Sequence, residues 1–130
     1  MKASPSPKTV SRGEVIHLKP GAISAIVMST AGAKPRPWLV VSRTVFEGRI
    51  VVAVMTTYKG YEARRRHVRL YSEESKSKDD GLIKCDEIYT VNADDVLLLN
   101  PRKRISPKKM QEVSEALRYT LDLNYDNPPL

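Results

Sequence analysis

Cysteine occurs once in this chain, at Cys85, so no internal disulfide can form and no cysteine-rich zinc cluster can assemble. Histidine occurs only at His17 and His67, which argues against a transition-metal site. Tryptophan and phenylalanine occur once each, so the core must be built mainly from aliphatic side chains. No apolar run approaches the roughly 20 residues needed to cross a bilayer, and residues 1–10 lack the apolar segment of a signal peptide. These absences lead to an expectation of metal-free, cofactor-free chemistry in the cytoplasm, away from any membrane.

What the chain does hold is positive charge. Its formal net charge is +7 over 130 residues, which favours an acidic partner such as nucleic acid, an anionic surface or an acidic protein segment. The length suits one domain with a real core and is short for two. Residues 1–11, with Pro5 and Pro7 among small polar residues, read as a loose tail. The domain is expected over residues 12–123, and residues 124–130, with Pro128 and Pro129, read as a second tail.

Within that domain the stretch Pro35-Arg36-Pro37-Trp38-Leu39-Val40-Val41-Ser42 stands out. The ring of Pro37 disfavours a helical residue before it, so Arg36 is held extended on a stiff platform. The β-branched run that follows is too short for a good helix and reads as a strand. A guanidinium held at the mouth of a buried strand suits an anion; an ordinary surface charge is the alternative. The strand turns through Glu47-Gly48-Arg49 into a second one over residues 50–57, giving an antiparallel hairpin. Ahead of it, residues 13–18 read as a first strand, residues 22–28 as a short second one, and residues 29–34 as a loop able to close over a ligand.

Residues 64–71 read as a further strand. Alternation would place Arg65, His67 and Arg69 on one face, and Arg64, Arg66, Val68 and Leu70 on the other. That basic stripe is either a solvated face or a run of phosphate contacts, and the net charge favours the second. Residues 72–80 lack any period and read as a surface loop without chemistry. Residues 81–91 read as the last long strand, where Lys84 and Asp86 would project from one face about 7 Å apart, as a simple ion pair or as acid and base about one phosphate. Ser106 is a good helix N-cap and Pro107 a good first helical residue. Met110, Val113, Leu117 and Leu121, with Ala116 beside them, form one apolar stripe that should dock on the sheet, leaving Lys108, Glu112, Glu115 and Arg118 in water.

Taken together, these residues resemble the MazF/PemK/Kid toxins. The likeness rests on Arg12-Gly13-Glu14-Val15, on Arg36-Pro37 ahead of Leu39-Val40-Val41-Ser42, and on the strand containing Thr56. It continues through Asp86-Glu87-Ile88-Tyr89-Thr90-Val91 and Arg104-Ile105-Ser106 to Glu112-Val113 and Glu115-Ala116-Leu117, all in order. The resemblance implies a mainly β (α+β) fold: a small SH3-like antiparallel β-barrel with a C-terminal helix, assembled as a homodimer. It also implies a metal-independent, sequence-specific endoribonuclease that cuts single-stranded RNA and is restrained by an antitoxin protein with an acidic segment. In that chemistry the 2′-hydroxyl attacks the adjacent phosphorus, which requires a base, an acid and donors for the phosphorane.

Carried over by position, Arg36 matches the catalytic arginine and Thr56 a hydroxyl donor to the phosphate. Asp86 matches a carboxylate assigned as general base, and Lys84 stands where members have an arginine. Lys34, Arg65, His67 and Arg69 are the expected RNA contacts. Tyr89 departs from the family by replacing an arginine. A binding protein without catalysis is the rival reading, because the same fold serves toxins that poison gyrase by binding it. The absence of a tryptophan after Trp38 counts against that class.

Overall fold

The computed structural model describes residues 10–23, 36–43 and 45–123. Among them six strands form one antiparallel sheet: β1 (Glu14–Leu18), β2 (Trp38–Val40), β3 (Arg49–Thr57), β4 (His67–Leu70), β5 (Gly81–Asn92) and β6 (Val96–Arg104). The spatial order is β4-β5-β3-β2-β1-β6, so β4 and β6 are edges and the sheet is open, not a closed barrel. A short helix α1 (Ser72–Ser75) precedes β5, and the long helix α2 (Pro107–Thr120) ends the fold. The expected fold class is therefore present, as a curled sheet with a C-terminal helix. Most of the expected strand over 22–28, together with Lys34 and its loop, lies outside the described residues.

The apolar run after Arg36 is buried on both faces, which is why it shows no polar alternation. Leu39, Ala53 and Met55 join Val15, Val68, Ile83 and the α2 residues Val113 and Ala116 in one core between sheet and helix. Trp38, Val40, Val52 and Val54 point the other way, packing with Val10, Ile16, Val91 and Val96 in a second core. Val10, assigned to the N-terminal tail from sequence, is only 1% exposed in that second core. Tyr89 also packs there, edge-on to Trp38 with ring centroids 6.0 Å apart, so an aromatic contact stands at the position where the resemblance implies an arginine.

The β2–β3 hairpin closes as its turn residues require. Glu47 and Gly48 both have positive φ, at 50° and 75°, and Phe46 and Arg49 exchange two backbone hydrogen bonds of 2.9 and 3.0 Å. Such a turn matches the right-handed twist of its strands. Arg12 is a tether: its guanidinium donates to the Val41 carbonyl at 2.7 Å and to the Ser114 hydroxyl, tying the chain entry to both the sheet and α2. Helix α2 starts as expected, with Ser106 Oγ accepting from the Lys109 amide at 3.1 Å and Pro107 in the first turn. The apolar stripe stops short, because α2 ends at Thr120 and Leu121 is 52% exposed. Lys109 is buried instead, and its ammonium donates to the Arg69 carbonyl at 2.9 Å and pairs with Glu112 and Glu74.

Candidate functional site

Pro37 delivers Arg36 to the mouth of β2, and Thr56 sits near the end of the neighbouring β3. Both line an open cleft of about 430 Å³. Lys103 enters it from β6, and the opposite wall is built by Ser75, Ser77, Lys78, Asp79 and Asp80. Arg36 has no ion-pair partner among the described residues, whereas the Lys103 ammonium donates to the Ser75 carbonyl at 3.0 Å. A guanidinium and two ammonium groups outnumber the Asp79 and Asp80 carboxylates around this concavity, and with its hydroxyls they suit it to a phosphodiester.

Lys84 and Asp86 do not line this cleft. Their strand carries a large bulge. On β5 Lys84 pairs with Val54 and Ile88 with Ala53, so Cys85, Asp86 and Glu87 are extra residues without partners on β3. A bulge of this kind interrupts the two-residue alternation. Lys84 consequently pairs with Glu87 at 3.4 Å, and Asp86 with His67 at 2.9 Å, in place of the expected Lys84–Asp86 juxtaposition. Cys85 is turned inward, donates its amide to the Arg66 carbonyl at 3.0 Å, and has its thiol pushed up to about 12, mainly by burial.

The basic stripe needs a correction as well. Residues 64–66 form a turn, with Arg65 at φ 69°, and β4 begins only at His67. Arg66 and His67 amides both donate to the Ala63 carbonyl, so strand alternation cannot apply to Arg65. Arg65, His67 and Arg69 nonetheless border one groove, which they share with Glu62, Glu112, Glu115 and Tyr119 of mixed charge. Arg65 lies over the Tyr119 ring, 4.2 Å from its centroid. His67 Nδ1 accepts from the Ala63 amide at 2.9 Å, which places the proton of the neutral ring on Nε2, facing Asp86. Arg69 is committed to Asp80, to which Nε and Nη2 both donate.

Asp80 was hidden in a segment whose sequence suggested no chemistry. Its carboxyl is held below the usual carboxylate range, first by the Ser72 amide and then by Arg69. Lys103 was likewise missed. It lies in a basic run that carries no motif, and the pairing of Val15 with Lys103 and the bond to the Ser75 carbonyl bring it to the cleft. The one sequence signal for the wall is Asp79-Asp80-Gly81 immediately before a strand.

Residues 12–121 match the family model described as PemK-like, MazF-like toxin of type II toxin-antitoxin system. The chain belongs to that family. No curated protein matches it by sequence. Among solved structures it is similar to an endoribonuclease from a mycobacterial species in complex with its cognate antitoxin, at 20% identity and TM-score 0.66, covering 88% of this chain and 97% of that one. It is also similar to MazF from Deinococcus radiodurans, at 16% identity and TM-score 0.62 over 87% and 96% of the two chains. The Mycobacterium tuberculosis toxin MazF-mt6 is a third, at 19% identity and TM-score 0.55 over 82% and 95%. These likenesses establish a shared PemK/MazF-like fold.

Proposed function

We propose that this PemK/MazF-family protein is a metal-independent, sequence-specific endoribonuclease, the toxin of a toxin-antitoxin pair acting on single-stranded RNA in the cytoplasm. The observation that carries this reading is the convergence of Arg36, from the entry to β2, and Thr56, from the end of β3, on one cleft with Lys103. The names of the similar structures, an endoribonuclease with its antitoxin among them, support it. Among the described residues no helix is long and apolar enough to cross a membrane.

In the proposed reaction the substrate's own 2′-hydroxyl is the nucleophile. Its proton passes to a base, the new O–P bond closes a 2′,3′-cyclic phosphate, and the P–O5′ bond breaks to leave a 5′-hydroxyl after protonation. Arg36 donates to the phosphorane oxygens as charge develops there, and the Thr56 hydroxyl donates to the same phosphate. Lys103 and Lys78 add positive potential at the cleft. Asp86 is the proposed base and Lys84 an auxiliary cation. Both are paired outside the cleft, so their roles require the 2′-hydroxyl beside the Arg36-bound phosphate to come within hydrogen-bond reach of the β5 bulge. Lys34, Arg65 and His67 are proposed RNA contacts. An acidic antitoxin segment is the proposed inhibitor, and a homodimer the proposed assembly.

The test is incubation of the purified chain with mixed-sequence single-stranded RNA in EDTA, followed by mapping of fragment ends. Fragments ending in 2′,3′-cyclic phosphate at a recurring sequence, lost in Arg36→Ala without loss of fold, are expected. RNA that is bound but left intact would overturn the enzymatic reading and leave a binding protein of the same fold.

A further inference from the structure

One wall of the cleft is the segment between β4 and β5, and a single carboxylate joins its two ends. Asp80 Oδ2 accepts from Arg69 Nε at 3.0 Å and from Arg69 Nη2 at 2.6 Å, while Asp80 Oδ1 accepts from the Ser72 amide at 2.7 Å. The Arg69 guanidinium also lies against two rings, 3.9 Å from the centroid of Tyr58 and 5.0 Å from that of Tyr71. The Asp80 carbonyl accepts from the Tyr58 amide at 2.9 Å, so β3, β4 and α1 meet at this residue. From the far side, Lys103 holds the Ser75 carbonyl. Between these anchors Ser77, Lys78 and Asp79 are exposed and face the cleft.

We propose that Arg69 and Asp80 are positioning residues of the cleft, holding Ser77, Lys78 and Asp79 where they contact the RNA nucleotide beside the phosphate bound at Arg36 and Thr56. This inference rests on the endoribonuclease reading. It gives Arg69 a different role from that of a phosphate contact. With Nε and Nη2 both donating to Asp80 and two tyrosine rings against the guanidinium, Arg69 has its paired edge committed and only its Nη1 side left for a ligand, whereas the segment it holds carries a hydroxyl, an ammonium group and a carboxylate suited to base and phosphate edges.

The two roles for Arg69 predict effects of opposite sign in Asp80→Asn. If Arg69 is an RNA contact, removing the neighbouring negative charge strengthens binding. If the pair positions the wall, the weakened fork loosens it and binding suffers.

The experiment measures kcat and KM for the full chain on a short single-stranded RNA containing its mapped cleavage site, with Asp80→Asn, Arg69→Met and the double variant. Each single change is expected to raise KM roughly tenfold, the scale of one lost charge-assisted hydrogen bond, with kcat nearly unchanged and the double variant no worse than either. Hydrogen exchange at the Ser72 amide should accelerate in both single variants. A lower or unchanged KM in Asp80→Asn, or additive losses in the double variant, overturns the proposal while leaving the nuclease reading intact. A wild-type chain that cleaves no RNA removes the reading beneath it. Should Arg69→Met fail to fold, the sign of the KM change in the near-isosteric Asp80→Asn decides alone.

Discussion

Arg102 grips Glu14 with a two-point fork, donating from Nε to Oε2 at 2.7 Å and from Nη2 to Oε1 at 2.6 Å. Glu14 is 2% exposed, and Arg102 belongs to a four-residue excursion of β6 where the register against β1 shifts between Val15 and Ile16. The carboxylate is thus buried, while the guanidinium side chain keeps 35% of its exposure. Removing Arg102 strands a buried charge, whereas removing the charge of Glu14 leaves a cation that water can reach. Arg102→Ala should therefore cost about 3 kcal/mol of stability and Glu14→Gln nearer 1 kcal/mol, read by urea unfolding. Equal losses would show that the burial asymmetry does not govern this pair.

Asp86 Oδ1 accepts a hydrogen bond from His67 Nε2, and the other ring nitrogen accepts from the Ala63 amide. The imidazole is therefore held in one tautomer, with Nε2–H as the donor to the carboxylate. If Asp86 is the general base, Asp86→Asn lowers kcat by at least about 100-fold while RNA affinity persists. Single-turnover cleavage measures this directly, and a rate near that of the wild type would exclude Asp86 from proton transfer.

Asp80 links the stability of the cleft wall to pH. Hydrogen bonds from the Ser72 amide and Arg69 depress its folded value below the ordinary 3.8, so the unfolded state binds the proton more readily. Its contribution is fully present above that ordinary value and disappears as pH falls through the depressed folded one. Thermal unfolding between pH 6 and 2 should show a steeper acid decline in the wild type than in Asp80→Asn. Parallel profiles would contradict the assignment.

The Cys85 thiol, raised to about 12 chiefly by burial, has almost no thiolate at neutral pH. An aromatic disulfide reagent at pH 8 should leave the folded protein unlabelled and react once per chain in denaturant. Fast native labelling would mean that the β5 bulge opens.

Ser106 accepts from the Lys109 amide at 3.1 Å at the start of α2. Ser106→Ala should cost about 1 kcal/mol and Ser106→Gly only a few tenths, because glycine lets water replace the cap. Calorimetry of the two variants tests the difference.

The features legible in the sequence are those set by neighbours along the chain. Ser106-Pro107 starts α2 through a bond three residues away, and Met110, Val113 and Leu117 share a face because a helix repeats every 3.6 residues. Glu47-Gly48 closes a hairpin because both adopt positive φ, and Pro37 stiffens Arg36 through its ring. Thr56 is matched to the site through the family resemblance, and the hairpin that joins β2 to β3 sets it in one cleft with Arg36. Tertiary structure decided what depends on partners across the sheet. Whether Cys85, Asp86 and Glu87 bulge is set by which residues of β3 and β4 their strand must satisfy, and that choice separated Lys84 from Asp86. Arg65 left the expected strand because a turn around the Ala63 carbonyl took its place. Lys103 and Asp80 reached the cleft through contacts with Ser75 and Arg69, 28 and 11 residues away, distances over which local spacing carries no information.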